Sequence, residues 1–216
     1  GGFNPDQVLT AFVTLPREGY PTGSTGHAFH ESLFRRASSL AGVRSAALVT
    51  DLPLERYERR GLTAENSVAA SGPPPTTNLS WVYGPFVETL GIRLVAGRTF
   101  TGIEDAQSQS VVIVNQRLAQ RFWPGQDALG KRLKWGADVP QNRNAWLTVI
   151  GVVADVADNG LGSAPDLHAY EPFSQFPDVA LNNVGGLVSF GRHVKLAIRT
   201  TADPRALVAS VRGEIA

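Results

Sequence analysis

Gly125 to Arg132 reads GQDALGKR, close to the phosphate-loop pattern G-x-x-x-x-G-K-[ST]. Arg132 stands where a hydroxyl should meet magnesium, and the segment follows a helix pattern and leads into a strand. A phosphate loop needs the reverse order, so that helix N-terminal amides face the anion. The reading is a Pro124-Gly125 helix stop and a turn. His27, His30 and Glu31 lie three and four residues apart on one helical pattern. That set could ligate zinc, but helical zinc sites use other spacings. It reads as a solvated polar face. His168 and His193 have no spaced acidic or serine partner along the chain, and His193, at a strand start, reads as an exposed edge residue.

A serine nucleophile of the elbow type needs G-x-S-x-G. Gly23-Ser24-Thr25-Gly26 is one residue short, and Gly162-Ser163-Ala164-Pro165 lacks the closing glycine. No G-x-G-x-x-G is present for a dinucleotide. Glu104-Asp105, and Asp155 with Asp158, read as solvated, capping or turn carboxylates. Trp81, Trp123, Trp135 and Trp146 could form a sugar platform, but read as anchors of a small core. No catalytic, cofactor-binding or metal-ligating residue is assigned, and no cofactor is expected.

The elements that would position these residues form a clear pattern. Val8 to Leu15 reads as a strand stopped by Pro16, and Arg17 to Gly26 as a loop. A helix follows, with Ser24 or Thr25 as N-cap and Phe29, Leu33, Phe34, Ala37, Leu40 and Ala41 on its buried face. Gly42 ends it, and Val43 to Thr50 is a second strand. The chain's close repeats the theme: His193 to Thr200 alternates as a strand, and Asp203-Pro204 opens a helix with Leu207, Val208, Val211 and Ile215 inward. Two related β-α-β units result, the second truncated.

Between them the texture differs. Glu55 to Arg60 reads as a charged, solvated stretch, and Ser71 to Thr77 as a stiff linker. Strands are predicted at Asn78 to Tyr83, around Ile92 to Val95, at Val111 to Val114, Lys131 to Trp135, Leu147 to Val156 and His168 to Phe173. Short helices are predicted near Pro85 to Leu90 and after the N-cap Asn115. Asp158 to Gly191 is rich in Gly, Pro and Asn. The fold class is therefore α+β: porter-like β-α-β units from both chain ends (1–60 and 186–216), with a second mixed α+β subdomain inserted (61–185). Linkers are expected near Glu55 to Thr77 and Val184 to Gly191.

Composition narrows the function classes. The 216 residues carry a formal net charge of +1, are 43% hydrophobic and 18% charged, and include no cysteine. Disulfides, thiolate metal sites and a cysteine nucleophile are excluded. Without a basic face, no nucleic-acid partner is expected. No apolar run reaches the ~18 residues that span a bilayer. The absence of methionine and the Gly1-Gly2 opening mark an expected excised segment of a longer parent.

Several phrases, in order, resemble one family. They are Gly2-Phe3-Asn4-Pro5-Asp6-Gln7-Val8-Leu9 with Leu15-Pro16; Val87-Glu88-Thr89-Leu90-Gly91-Ile92 with Ala96-Gly97-Arg98-Thr99-Phe100; Val112 to Trp123 with Pro124-Gly125 and Leu129-Gly130-Lys131; and Val149 to Val156. Together these resemble the periplasmic core domain of macrolide-exporter-type (MacB-like) ABC permeases. The resemblance implies a non-enzymatic extracytoplasmic domain held between two transmembrane helices of its own permease chain, with both termini facing the membrane. It also implies ATP hydrolysis by a separate cytoplasmic ATP-binding subunit or domain, docking of a periplasmic adaptor or cargo, and a homodimeric parent. Two alternatives stand beside it. A secreted hydrolase or ligand-binding domain would need a pocket joining some of His168, His193, Asp155 and the tryptophans. A lipoprotein-handling or cell-division permease domain would share the architecture.

Overall fold

The computed structural model describes residues 2–16, 23–53, 55, 57–65, 73–137, 139, 142, 144–156, 165–175 and 193–215. The linker expected near 184–191, together with Asp158 and Gly162-Ser163-Ala164, lies outside them.

The opening unit forms where its pattern places it. Strand β1 (Val8–Thr14) leads to helix α1 (Gly23–Ser38) and strand β2 (Val43–Val49). The helix begins at Gly23, before either expected cap. Leu33 and Ala37 are fully buried against Ala46 and Leu48 of β2, so the middle of the predicted stripe is the packed one, whereas the helix stops at Ser38 and Ala41, expected on that face, is exposed in the turn beyond it. Complete burial of such a leucine contributes roughly 1.5–3 kcal/mol.

Among the described residues the middle of the chain adds seven strands: β3 (Glu58–Ala64), β4 (Thr76–Tyr83), β5 (Leu94–Gly97), β6 (Val111–Asn115), β7 (Arg132–Trp135), β8 (Leu147–Val153) and β9 (His168–Pro172). Two short helices join it, α2 (Phe86–Leu90) and α3 (Gln116–Phe122). Asn115 caps α3 as expected, its Oδ1 accepting from the Leu118 N–H at 3.0 Å. The chain closes with β10 (His193–Thr200), a 3-10 turn over Pro204–Leu207 capped by Asp203, and helix α4 (Val208–Ile215).

The charged, solvated stretch expected at 55–60 and the first part of the linker expected at 55–77 are instead strand from Glu58 on, while residues 66–72 of that linker lie outside the described residues. Residues 58–64 are a strand with neighbours on both edges, and β4 begins at Thr76. Leu62 and Ala64 alternate inward, and that apolar pair draws the charged start of the segment into the ladder. The strand expected around 92–95 sits two residues later, at Leu94–Gly97.

Pairing explains how the pieces cohere. β10 lies between β1 and β2, antiparallel to both, so β1 and β2 run parallel. In the other part of the sheet, β4, β3, β7, β8, β6 and β9 pair in succession, and β9 pairs back to β4, closing a six-stranded ring. β5 adds to β8 outside that path. β4 carries β9 on one edge; on the other, β3 pairs with its first half and β2 with its end, through Leu48↔Tyr83 and Val49↔Val82. A single strand thus joins the three strands near the chain ends to the ring.

Two apolar cores fill the body. α1 and α4 cover one face of β2 and β10, and this core continues into the ring through Trp81, Trp135 and Phe173. α2 covers the opposite face through Phe86, Val87 and Leu90, packed on Ala47, Val49 and Ala197.

Candidate functional site

The pole where β1 begins and β10 ends holds a dense set of long-range polar contacts. Arg199, the penultimate residue of β10, points to the α2 side and is 8% exposed. Its Nε–H donates to the carbonyls of Thr89 (3.0 Å) and Glu88 (3.3 Å), its Nη1 to Asp6 (2.9 Å) and its Nη2 to Asn4 (2.7 Å). Two acceptors lie in the last turn of α2, at the partly negative end of the helix, and the Glu88 carbonyl also accepts from the Gly91 N–H at 3.1 Å. The other two belong to the segment entering β1. No carboxylate among the described residues pairs with the guanidinium.

Neighbouring backbone bonds complete the clasp. The Asn4 N–H donates to Leu90 (3.0 Å), and the Thr200 N–H to Gln7 (2.8 Å). Gly91 ends α2 at φ +65°, and a Cβ there would stand 2.8 Å from the Asn4 Cβ, so both the turn and the close approach require glycine. The closing segment gathers at the same pole. The Thr201 N–H donates to Gly42, and Arg36, in the last turn of α1, holds the Glu214 carbonyl at 2.7 Å. First and last described segments therefore share one end of the sheet.

A second polar cluster lies where the terminal strands meet the ring. Lys195 of β10 donates to the Thr50 carbonyl and pairs with Glu55 at 3.0 Å and Asp51 at 3.6 Å. Burial raises the Asp51 carboxyl above its usual range despite Lys195, and its Oδ2 has no hydrogen-bond partner among the described residues. Beside it, Ser80 Oγ and His168 Nε2 are 2.9 Å apart, with Tyr57 edge-on and Tyr170 stacked on the imidazole.

His168, which has no spaced serine partner along the chain, therefore meets one from 88 residues away. Ser80 comes from β4 and His168 from β9, and only the parallel β4–β9 pairing brings them together. Asp51, Ser80 and His168 line one cavity, but its volume is about 10 Å³, room for a single water. Ser80 is 1% and His168 2% exposed. A hydrolytic serine needs a bound carbonyl within reach and an oxyanion site beside it. This cavity accommodates neither, and the chemistry of the pair is that of a buried hydrogen bond between strands.

His30 is also corrected. It is 1% exposed, packed on Phe29 and Phe173, not solvated. Burial lowers its pKa to about 4, helped by His27. Glu31 faces outward, in an exposed pair with Arg35 at 3.7 Å. Inside the ring Glu171 accepts from Trp135 Nε1, and burial raises its carboxyl to about 7, opposed by that bond and by Arg60. Among the described residues no three His, Asp or Glu side chains cluster to hold a metal.

Glu104 is 3% exposed and builds a loop. Its carboxylate accepts from Arg98 Nη1 (2.6 Å), Thr101 N–H (3.0 Å) and Gly102 N–H (3.0 Å). Burial pushes its pKa upward, but these bonds outweigh it and hold the carboxyl below the usual range. Asp105 is the expected turn residue, accepting from the N–H groups of Gln107 and Ser108. Ile103, at the tip, is 75% exposed.

The other candidates fall into structural roles. Gly125 and Gly130 adopt positive φ in a turn from α3 into β7, the order expected of a helix stop. Gly23 to Gly26 open α1. His193 is exposed at its strand start, its Nδ1 3.1 Å from Thr14 Oγ1. Asp155 accepts from the Arg117 N–H at the start of α3. Trp81, Trp123 and Trp135 are buried, while Trp146 is half-buried beneath Arg132 and Lys134.

These features define an α+β domain built on β-α-β units, with its first and last described segments at one pole. The chain belongs to the MacB-like periplasmic core domain family, whose profile matches residues 6–216. It is thus an extracytoplasmic domain of an ABC-transporter permease. Solved structures share the fold. The periplasmic region of MacB from Actinobacillus actinomycetemcomitans is 17% identical, with a TM-score of 0.58 over 95% of this chain and 81% of that one. The extracellular domain of the noncanonic ABC-type transporter YknZ from Gram-positive bacteria is 14% identical, with a TM-score of 0.56 over 97% and 90%. No curated protein matches the sequence.

Proposed function

We propose that this domain is a non-catalytic relay. It hangs between two membrane helices of its own permease chain, transmits motion driven by a cytoplasmic ATP-binding subunit or domain, and docks an adaptor or cargo on its outer surface. The observation that carries this reading is the Arg199 clasp. One buried side chain ties the segment entering β1 to α2 and β10, at the pole where the closing segment also gathers. A pull on the chain start is passed to two core elements through hydrogen bonds, with no loop to absorb it. The division into a porter-like part (1–60 and 186–216) and an inserted part (61–185) belongs to the same proposal. It is supported by the grouping of β1, β10 and β2 apart from the ring, with β4 as the shared strand, although β3 enters the ring from Glu58, so residues 58–60 group with the inserted part.

The test uses the full-length parent, reconstituted in vesicles with its ATPase. Arg199→Gln is expected to leave ATP hydrolysis in place and to uncouple it from vectorial movement of cargo. Unaltered coupling would remove the relay. A hydrolase reading has one observation in its favour, the Ser80–His168 hydrogen bond. The burial of both groups and the one-water cavity weigh against it.

A further inference from the structure

On its α2 side β10 presents Lys195, Ala197 and Arg199 in turn, since alternate residues of a strand share a face. Ala197, fully buried, lies under α2 with Ala47 and Val49 of β2. The two cations flank that seat, about 13 Å apart along the strand. Arg199 grips the last turn of α2. Lys195 grips the chain on the other side, where β2 hands over to the connection that leads to β3.

The Lys195 grip is built as closely as the clasp. Its side chain is 14% exposed, and three oxygens face its three N–H donors: the Thr50 carbonyl, Glu55 Oε2 at 3.0 Å and Asp51 Oδ1 at 3.6 Å. Thr50 is itself stapled to β4. Its N–H donates to the Trp81 carbonyl (3.0 Å), and its Oγ1 accepts from the Trp81 N–H (3.1 Å). The same Glu55 oxygen accepts from the Leu52 N–H at 2.9 Å, so ammonium and amide hold one turn from two sides. Lys195 therefore reaches from the middle strand of the terminal three to the residue that makes the last bonds between β2 and the ring.

These fastenings oppose any rocking of the ring about β4. β2 meets β4 over a short register, Leu48↔Tyr83 and Val49↔Val82, and an apolar seat alone lets packed elements slide. Directional bonds on both sides of the α2 seat remove that freedom. The α1 side is closed as well, by Phe34 edge-on to Tyr83 (5.0 Å) and His30 against Phe173 (5.4 Å).

We infer that β10 rivets the terminal strands and the ring into one lever, with Lys195 as the positioning residue that fixes the ring at the end away from the clasp. The consequence for function rests on the relay reading: a displacement delivered at the clasp pole arrives at the ring undiminished, with no hinge between the two parts.

Spin labels on cysteines replacing exposed Ser38 of α1 and exposed Gln120 of α3 measure the separation of the two parts. The sample is the full-length parent reconstituted with its ATPase, cleared of any other cysteine. The native body is expected to give one narrow distance, the same with ATP as with ADP. Lys195→Met is expected to broaden that distance or add a second. Where Lys195→Met fails to fold, Glu55→Gln, which leaves the ammonium its Thr50 carbonyl, is expected to broaden it in the same sense. A native distance that is broad or changes with nucleotide would overturn the inference. So would a narrow distance in whichever variant is read, even with a lowered urea midpoint, since Lys195 would then add stability without setting position. Intact coupling in Arg199→Gln beside a fixed native distance removes the relay alone.

Discussion

The Arg199 guanidinium donates to the Asn4 carbonyl at 2.7 Å, across nearly the whole length of the chain. With three further carbonyls it forms a joint between chain start, α2 and β10. Hydrogen bonds from a charged group are worth roughly 1.5–3 kcal/mol each, less when their acceptors rebind water. Arg199→Met is expected to cost about 3 kcal/mol in urea unfolding, and Arg199→Lys less. Hydrogen exchange should locate the damage, with the Asn4 amide accelerating before those of β2. Uniform acceleration throughout the body would argue against a local joint.

Gly91 tests the same joint from its other side. Gly91→Ala places a methyl at positive φ and against Asn4, so it is expected to destabilise the fold by about 1–3 kcal/mol. Thermal unfolding reads this, and an unchanged midpoint would contradict the close approach.

Two buried groups tilt stability with pH in opposite senses. His30 has a folded pKa of about 4 against 6.5 in the unfolded chain. The unfolded state takes the proton first, so stability is intact above pH 6.5 and falls as pH drops toward 4. Glu171 has a folded value of about 7 against 4.5, so its contribution is full below pH 4.5 and lost as pH rises through 7. Each displacement corresponds to at most about 3 kcal/mol. Glu171→Gln keeps an acceptor for Trp135 and is expected to raise stability at pH 8 while leaving pH 4.5 nearly unchanged. His30→Leu should flatten the acid limb alone. Urea midpoints measured from pH 4 to 8 decide both.

Local pattern made much of this architecture legible. The α1 stripe of Leu33 and Ala37, the Asn115 and Asp203 caps and the Pro124-Gly125 stop are short-range signals, and each leads to the element expected of it. What stayed hidden depends on pairing. β3 begins with Glu58, Arg59 and Arg60, whose charge reads as solvent until β4 and β7 flank it. Ser80 and His168 stand 88 residues apart, and no spacing rule reaches across such a gap. His30 reads as surface because nothing before β9 and Phe173 are placed shows what covers that helix face. The Arg199 clasp was invisible for the same reason: its acceptors are backbone carbonyls, which no side-chain motif encodes.

Ser80→Ala distinguishes a structural pair from a catalytic one. It is expected to cost about 1–2 kcal/mol of stability through the His168 nitrogen left without its hydroxyl. A fluorophosphonate probe should label neither chain. Stoichiometric labelling of the native domain, abolished by Ser80→Ala, would establish a nucleophile and end the non-catalytic reading.

Glu104 holds the Ile103 loop with its charge. Glu104→Gln is expected to weaken the bonds from Arg98, Thr101 and Gly102 and to cost about 1–2 kcal/mol at neutral pH. The carboxyl is held below its usual range, so the native loop's advantage is present above that range and disappears as acid protonates it. Hydrogen exchange at Thr101 and Gly102 should show the loosening, and protected amides in the variant would contradict it.

A relay of this kind requires the body to stand outside the cytoplasmic membrane on a chain embedded in it. In the full-length parent, a single cysteine replacing exposed Gln107 offers a direct measurement with a membrane-impermeant maleimide on intact cells. Labelling without lysis, on a protein that resists alkaline carbonate extraction, is the predicted result. Labelling that requires permeabilised cells, or a parent that washes free of the membrane, would contradict it.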